Sequence, residues 1–180
     1  MLVGLTGRNA SGKSTLVEWF SSKGLRSVSC SDSSRKWLHD QGVYSTIEAL
    51  IEGGRELRRR GGSGILAEML LETLDGEDAV VDSIRTPAEV EALRSRGDFI
   101  LIEVSASEDS RWERMVGRGR TGDPGEKSVF LEQEAAESHA EVEAGQALVA
   151  TGNMADVKIG NDGSIEDLEM KLESFWKGLS

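Results

Sequence analysis

Leu2-Val3-Gly4-Leu5-Thr6-Gly7-Arg8-Asn9-Ala10-Ser11-Gly12-Lys13-Ser14-Thr15 decides how the rest of the chain is read. Residues 2–6 form a short apolar run ending at glycine, the pattern of a buried strand. From Lys13 to about Lys23, Leu16, Val17, Trp19 and Phe20 follow a helical pattern, and Gly24 suits the C-cap. Between strand and helix lies Gly-x-x-x-x-Gly-Lys-Ser. Glycines there let successive backbone N–H groups turn inward into a concave anion nest. The helix that follows points its positive end at the same spot. Lys13 adds a compact cation and Ser14 a hydroxyl, an oxygen donor that suits Mg2+. Gly7, Asn9, Ala10, Ser11, Gly12, Lys13, Ser14 and Thr15 are therefore the candidate residues for binding a nucleoside triphosphate.

The spacing of the remaining chain predicts further alternation. Strands are expected at 25–29, 79–82, 99–104 and, weakly, 157–159. A helix begins at Ser33–Ser34. Residues 45–75 are helical, capped by Ser45 or Thr46 and interrupted at Gly53-Gly54 and at 61–64, which gives two or three helices. Pro87 opens a helix to about Arg96, and residues 109–116 form another. Residues 117–125, with four glycines and a proline, make a loop; 128–145 is a long acidic helix. Ser164, with Asp167 three residues on, caps a final helix to Lys177. Apolar strands alternating with amphipathic helices imply a three-layer α/β domain built on a parallel sheet of about five strands.

The chain has 180 residues, a net charge of -11, one cysteine and two histidines. Cys30 has no internal disulfide partner, and Cys30, His39 and His139 are too few for a zinc site. No apolar run reaches the ~18 residues of a membrane span. Phosphate backbones need a basic surface, so a nucleic-acid partner is not expected. A cytoplasmic protein, monomer or homodimer, is expected. The arginines cluster at Arg55, Arg58, Arg59, Arg60 and at Arg111, Arg114, Arg118, Arg120. They form either a local anion site or solvated helix faces paired with nearby glutamates.

Two further segments end strands at the edge where ligands bind in such sheets. Asp32-Ser33-Ser34-Arg35 follows the second strand: Asp32 either orients an acceptor or caps a helix, and Arg35 can hold an anion. Asp82-Ser83-Ile84-Arg85 follows the third: Asp82 is placed either to hold Mg2+ through water or to form a structural ion pair. Arg114 and Arg118 precede the glycine-rich loop, where arginines can close on a migrating phosphoryl group. Trp37 is read as core, with base stacking as the alternative.

On these motifs the chain resembles the P-loop kinases of the nucleoside monophosphate kinase group, and its phosphate loop also resembles that of dephospho-CoA kinase. Asp32-x-x-Arg35 resembles the adenylate kinase segment whose arginine binds the acceptor phosphate. Residues 82–90 resemble the D-G-x-R-x-P-x-E-V segment of adenylate-kinase-like ATPases of poorly defined substrate. Arg58 sits in a pattern similar to L-R-x-x-x-G in that group. Arg114-x-x-x-Arg118 resembles the start of the kinase lid, and residues 155–164 the loop that packs on the ATP adenine.

The resemblance implies sheet order 2-3-1-4-5, a helical acceptor region near 36–75 and a lid near 117–127. It implies ATP held by the phosphate loop with Arg114, Asn161 and Gly163, and Mg2+ at Ser14 and Asp82. It implies an acceptor phosphate at Asp32, Arg35, Arg58 and Arg85, and catalysis by Lys13, Asp32, Arg114 and Arg118. The chain departs from adenylate kinases in having no arginine after Arg120; residues 126–143 carry glutamates instead. Three functions follow: a nucleoside or deoxynucleoside monophosphate kinase, a kinase of dephospho-CoA or another metabolite, or a regulatory nucleotide-binding ATPase.

Overall fold

In the computed structural model, which describes residues 1–119, 123–138 and 148–179, the apolar runs become one sheet of five parallel strands. They are β1 (Leu2–Thr6), β2 (Arg26–Ser29), β3 (Ala79–Asp82), β4 (Phe99–Ser105) and β5 (Val157–Gly160), in the order β2-β3-β1-β4-β5. The central β1 pairs Leu2 with Ala79 on one side and with Phe99 on the other. All of β1 is buried, as a strand covered on both faces must be.

Nine helices are described: α1 (Lys13–Ser22), α2 (Cys30–Asp40), α3 (Ile47–Gly61), α4 (Ile65–Leu74), α5 (Pro87–Arg94), α6 (Glu108–Arg118), α7 (Lys127–Ser138), α8 (Leu148–Asn153) and α9 (Ile165–Gly178). Alternate strand residues face opposite layers. Leu2, Val81 and Leu101 pack with Leu57, Leu66, Leu70 and Leu93 from α3, α4 and α5. Val3, Val80 and Ile102 pack with Leu16, Phe20, Leu168 and Leu172 from α1 and α9. The three-layer order expected from the pattern is present.

Several boundaries differ from the sequence reading. α3 runs straight through Gly53-Gly54. A Cβ at Gly53 would lie 3.3 Å from the Leu38 side chain and one at Gly54 3.4 Å from Ser34 Oγ, so these glycines let α2 approach α3 rather than breaking it. Thr46, not Ser45, caps α3, accepting from the Ala49 N–H. α2 begins at Cys30 rather than Ser33, because Ser29 and Asp32 form its capping box. α6 continues to Arg118 and ends where Gly119 turns left-handed at φ 52°. The acidic helix is described only to Ser138; its expected continuation to residue 145 lies outside the described residues. The short α8 was not expected. The caps at Thr86–Pro87 and Ser164–Asp167 stand where their residue types place them.

Because every strand runs the same way, the loops after β1, β3, β4 and β5 open at one edge of the sheet. The candidate residues gather there.

Candidate active site

The phosphate loop is shaped by left-handed backbone at Gly7 (φ 135°), Ala10 (59°) and Gly12 (104°). At Gly12 a Cβ would stand 2.1 Å from Asn161 Nδ2, and at Gly7 2.2 Å from the Val104 carbonyl oxygen. Both positions therefore exclude side chains by packing as well as by conformation. The cradle is of the kind that accepts phosphate oxygens on backbone N–H groups. Lys13 Nζ donates to the carbonyls of Gly7 (2.7 Å) and Arg8 (2.9 Å), which puts its charge on the rim of the nest.

Asn161 and Arg114 hold this loop from the far side. Asn161 Nδ2 donates to the Ser11 carbonyl at 2.9 Å. Arg114 Nη2 donates to the Asn161 carbonyl at 2.6 Å, and Nη1 to the carbonyls of Ala10 and Ser11, each at 3.4 Å. Arg114 thus spends its fork on backbone and ties α6 to two loops. An open cleft of ≈480 Å³ lies along this side, bordered by Gly12, Thr15, Arg114, Asn161 and Gly163.

A second cleft of ≈230 Å³ lies over the nest itself, where Asn9, Lys13, Ser14, Asp82 and Arg118 meet. The Ser14 hydroxyl and Asp82 carboxylate are hard oxygen donors in the same cleft, and they fit Mg2+. That ion is usually held by one or two protein oxygens plus phosphate and water. Among the described residues no group of three or more His, Cys, Asp or Glu could cage a metal by itself. Asp82 Oδ1 also accepts from the Ser83 N–H at 2.7 Å, which fixes its direction.

Arg118 borders both clefts. Its Nε and Nη2 form a two-point pair with Asp123 (2.9 and 2.8 Å), and Nη2 reaches Asn9 Oδ1 at 3.3 Å. The guanidinium fork that would meet a phosphate is here filled by a carboxylate of the same bidentate habit. Arg120, expected to join the lid arginines, lies outside the described residues.

The third space is a pocket of ≈390 Å³ between α2, α3 and the β3–α5 loop, lined in part by Arg55, Arg58, Ser83, Arg85 and Glu89. Glu89, 1% exposed, organises it. Its Oε2 accepts from the N–H groups of Arg85 (2.9 Å) and Thr86 (3.2 Å), and its Oε1 from Arg58 Nη2 (3.4 Å). Burial, and then the Glu89 carboxylate, push the Cys30 thiol well up, so it stays neutral beside the pocket. Of the first arginine cluster, Arg59 and Arg60 instead bind Glu56, drawing its carboxyl down to about 2.

Asp32 and Arg35 lie on the first turns of α2, beside the lining residues Cys30, Ser31 and Ser34 of that pocket. Asp32 Oδ2 accepts from the Ser29 N–H (2.8 Å) and its Oδ1 from Arg35 (2.5 Å); neither residue borders any of these three spaces. Of the alternatives for Asp32, the helix cap is the one the geometry displays.

Sequence reasoning did not anticipate a buried ion cluster behind the nest. Arg111 and Glu134, 4% and 7% exposed, pair through both oxygens of the carboxylate. Arg8 of the phosphate loop reaches the same carboxylate at 3.3 Å. Arg111 also donates to the Ala106 carbonyl (3.1 Å), and its guanidinium lies over the Phe130 ring. Burial lowers the Arg111 pKa, with Arg8 adding to the effect. Glu134, one of the glutamates of the acidic helix, is turned inward onto two arginines.

A parallel 2-3-1-4-5 sheet with a glycine-rich loop feeding α1 is the fold of the P-loop kinases. Solved structures agree at the level of the fold. Shikimate kinase from Bacteroides thetaiotaomicron matches over 99% of this chain and 98% of its own, with a TM-score of 0.64 at 15% identity. Shikimate kinase from Aquifex aeolicus covers 99% and 97%, with a TM-score of 0.57 at 17% identity. TT1252 from Thermus thermophilus covers 100% and 98%, with a TM-score of 0.63 at 19% identity. No protein-family model matches the chain. In sequence it is 33% identical over 175 residues to a UPF0200 protein of Methanothrix thermoacetophila, covering 95% of this chain and 93% of the relative. It is 30% identical over 181 residues to a UPF0200 protein of Thermococcus kodakarensis, covering 96% and 95%. The chain belongs to the UPF0200 family. No helix among the described residues is long and apolar enough to cross a membrane.

Proposed function

We propose that this protein is an ATP-dependent phosphotransferase that moves the γ-phosphoryl group to a small phosphorylated acceptor. The observation that carries the reading is a shared wall: Ser83 and Arg85 border both the cleft over the phosphate nest and the arginine-lined pocket. A triphosphate on one side and an anion on the other would meet across Asp82–Arg85. The shikimate kinases and the sugar kinase among the fold neighbours are named for small-molecule acceptors, which supports the class.

In this reading the nest N–H groups and Lys13 bind the β- and γ-phosphates, and Arg58 and Arg85 hold the acceptor phosphate. An acceptor oxygen forms a bond to the γ-phosphorus while the bond from that phosphorus to the β-bridging oxygen breaks, and the electron pair leaves with ADP. Ser14 and Asp82 would hold Mg2+, which supplies charge neutralisation on the phosphates. The protein's own contribution is positioning and charge. The resemblance to nucleoside monophosphate and dephospho-CoA kinases suggests those acceptors. A regulatory ATPase is a second reading, favoured by one observation: no arginine follows Arg120, and residues 126–143 carry glutamates instead.

The test is steady-state ADP formation with a panel of phosphomonoesters. Arg85→Ala should raise the acceptor KM about tenfold or more and the ATP KM by less than about threefold, because a lost two-point arginine–phosphate contact costs about that much. Equal effects on both substrates would assign Arg85 to ATP or to structure. Arg118→Ala should lower kcat about 10- to 100-fold with ATP affinity little changed, since its fork must leave Asp123 to act in the closed state. An unchanged kcat would count against a closing lid.

A further inference from the structure

We infer that the pocket beside the phosphate nest selects a phosphomonoester with a hydroxylated, base-free body, of the sugar-phosphate kind, rather than a nucleotide. The fate of that ligand rests on the phosphotransferase reading; its binding does not.

The lining divides into two chemistries. Arg55, Arg58 and Arg85 supply charge for a phosphate; Glu89 fixes Arg58 and the Arg85 backbone, while Arg55, its side chain 63% exposed, also pairs with Glu52 at 3.6 Å. Ser31, Ser34 and Ser83 also line it, with the Ser31 hydroxyl bonded to that of Ser29 at 3.0 Å. A hydroxyl both donates and accepts, so it matches another hydroxyl whichever way either turns. Leu50 and Leu66 leave an apolar wall for the C–H face of a ring.

Among its described residues that lining offers a nucleobase arginine planes but no aromatic one. Bases are held by stacking on aromatic or arginine planes and by donors and acceptors set against their edge. Among the described residues of the pocket there is no aromatic ring, no asparagine and no glutamine. Glu89, the pocket's carboxylate, is buried and already accepts from three donors. The two aromatic residues nearest in sequence stand elsewhere. Trp37 borders a separate cleft between α2 and α4, with the Arg60 guanidinium 5.9 Å over its ring. Tyr44 is 92% exposed ahead of α3.

Ser83 adds a second mark. It takes φ 61° at the wall between the two clefts, a conformation that favours glycine. That conformation is strained for a serine, and it stands where the two clefts share a wall.

The experiment is isothermal titration of the full chain, loaded with a non-hydrolysable ATP analogue and Mg2+, with ribose 5-phosphate, AMP and inorganic phosphate. Ribose 5-phosphate should bind, AMP should bind no tighter than ribose 5-phosphate, and inorganic phosphate should bind about tenfold weaker. Arg85→Ala should weaken ribose 5-phosphate about tenfold or more, and Ser83→Gly several-fold with the fold kept, since glycine suits that φ. AMP binding tighter than ribose 5-phosphate, with Arg85 dependence, would overturn the inference and leave the phosphotransferase reading standing. So would inorganic phosphate binding as tightly as ribose 5-phosphate, or no binding of ribose 5-phosphate to about 10 mM. If the ATP analogue itself fails to bind, the phosphate-nest reading falls, and the same titrations without it still decide the pocket.

Discussion

Lys13→Ala is expected to lower phosphoryl transfer about 10²-fold or more while the protein stays folded. The side chain is half-buried and rests on the Gly7 and Arg8 carbonyls, so its loss removes hydrogen bonds from a rim rather than atoms from a core. The nest behind it keeps its shape from other parts: the Gly7 and Gly12 backbone, Asn161 on the Ser11 carbonyl and the Arg114 fork. What disappears is the cation facing the charge that grows on the phosphate oxygens. Thermal melting with circular dichroism should show a native spectrum and a modest fall in Tm, alongside an ADP-formation assay near background. Ordinary turnover in this variant would remove the phosphate loop from the chemistry.

Arg111→Met is expected to destabilise the protein by about 3 kcal/mol, because it leaves the Glu134 carboxylate buried without its main partner. The Arg111 and Glu134 side chains are 5% and 8% exposed. Arg8 still reaches Glu134 but is 42% exposed and sits at 3.3 Å, so it compensates in part and holds the loss to the lower end of the usual range. Methionine keeps most of the packing against Phe130. The double change Arg111→Met with Glu134→Leu should recover most of the loss, since an apolar pair carries no stranded charge. Urea unfolding of the two variants measures both. A loss under about 1 kcal/mol in the single variant would mean that α7 is not anchored through this pair.

Particular elements show where the sequence was legible. The strand–nest–helix unit at 2–22 could be read because each part is specified locally: an apolar run, glycines at left-handed positions, then helical spacing. Pro87 in a first turn, and Ser164 with Asp167, located two helix starts for the same reason. Gly53-Gly54 misled because what those glycines satisfy is the approach of α2, a contact between residues far apart in the chain.

The site divides the same way. The nest, Asp82 and the Arg114–Arg118 helix end come together as expected. Asp32 and Arg35 do not join them: capping and a local pair take up the whole motif. Consecutive arginines cannot share one helix face, so only Arg55 and Arg58 of the first cluster turn to the pocket, while Arg59 and Arg60 reach back to Glu56. The inward glutamate of α7 carried no local mark, since its partners Arg111 and Arg8 come from a distant helix and loop.

The central claim is that the γ-phosphoryl group of ATP passes across the Asp82–Arg85 wall to a bound acceptor rather than to water. Phosphorus NMR of the protein with MgATP and the phosphomonoester panel tests it most directly. The account predicts ADP resonances growing in step with loss of the free acceptor's signal and appearance of a newly phosphorylated product, formed much more slowly by Arg85→Ala at sub-saturating acceptor. ADP and inorganic phosphate in equal amounts, at a rate indifferent to every acceptor and to Arg85→Ala, would contradict it and leave a nucleotide hydrolase.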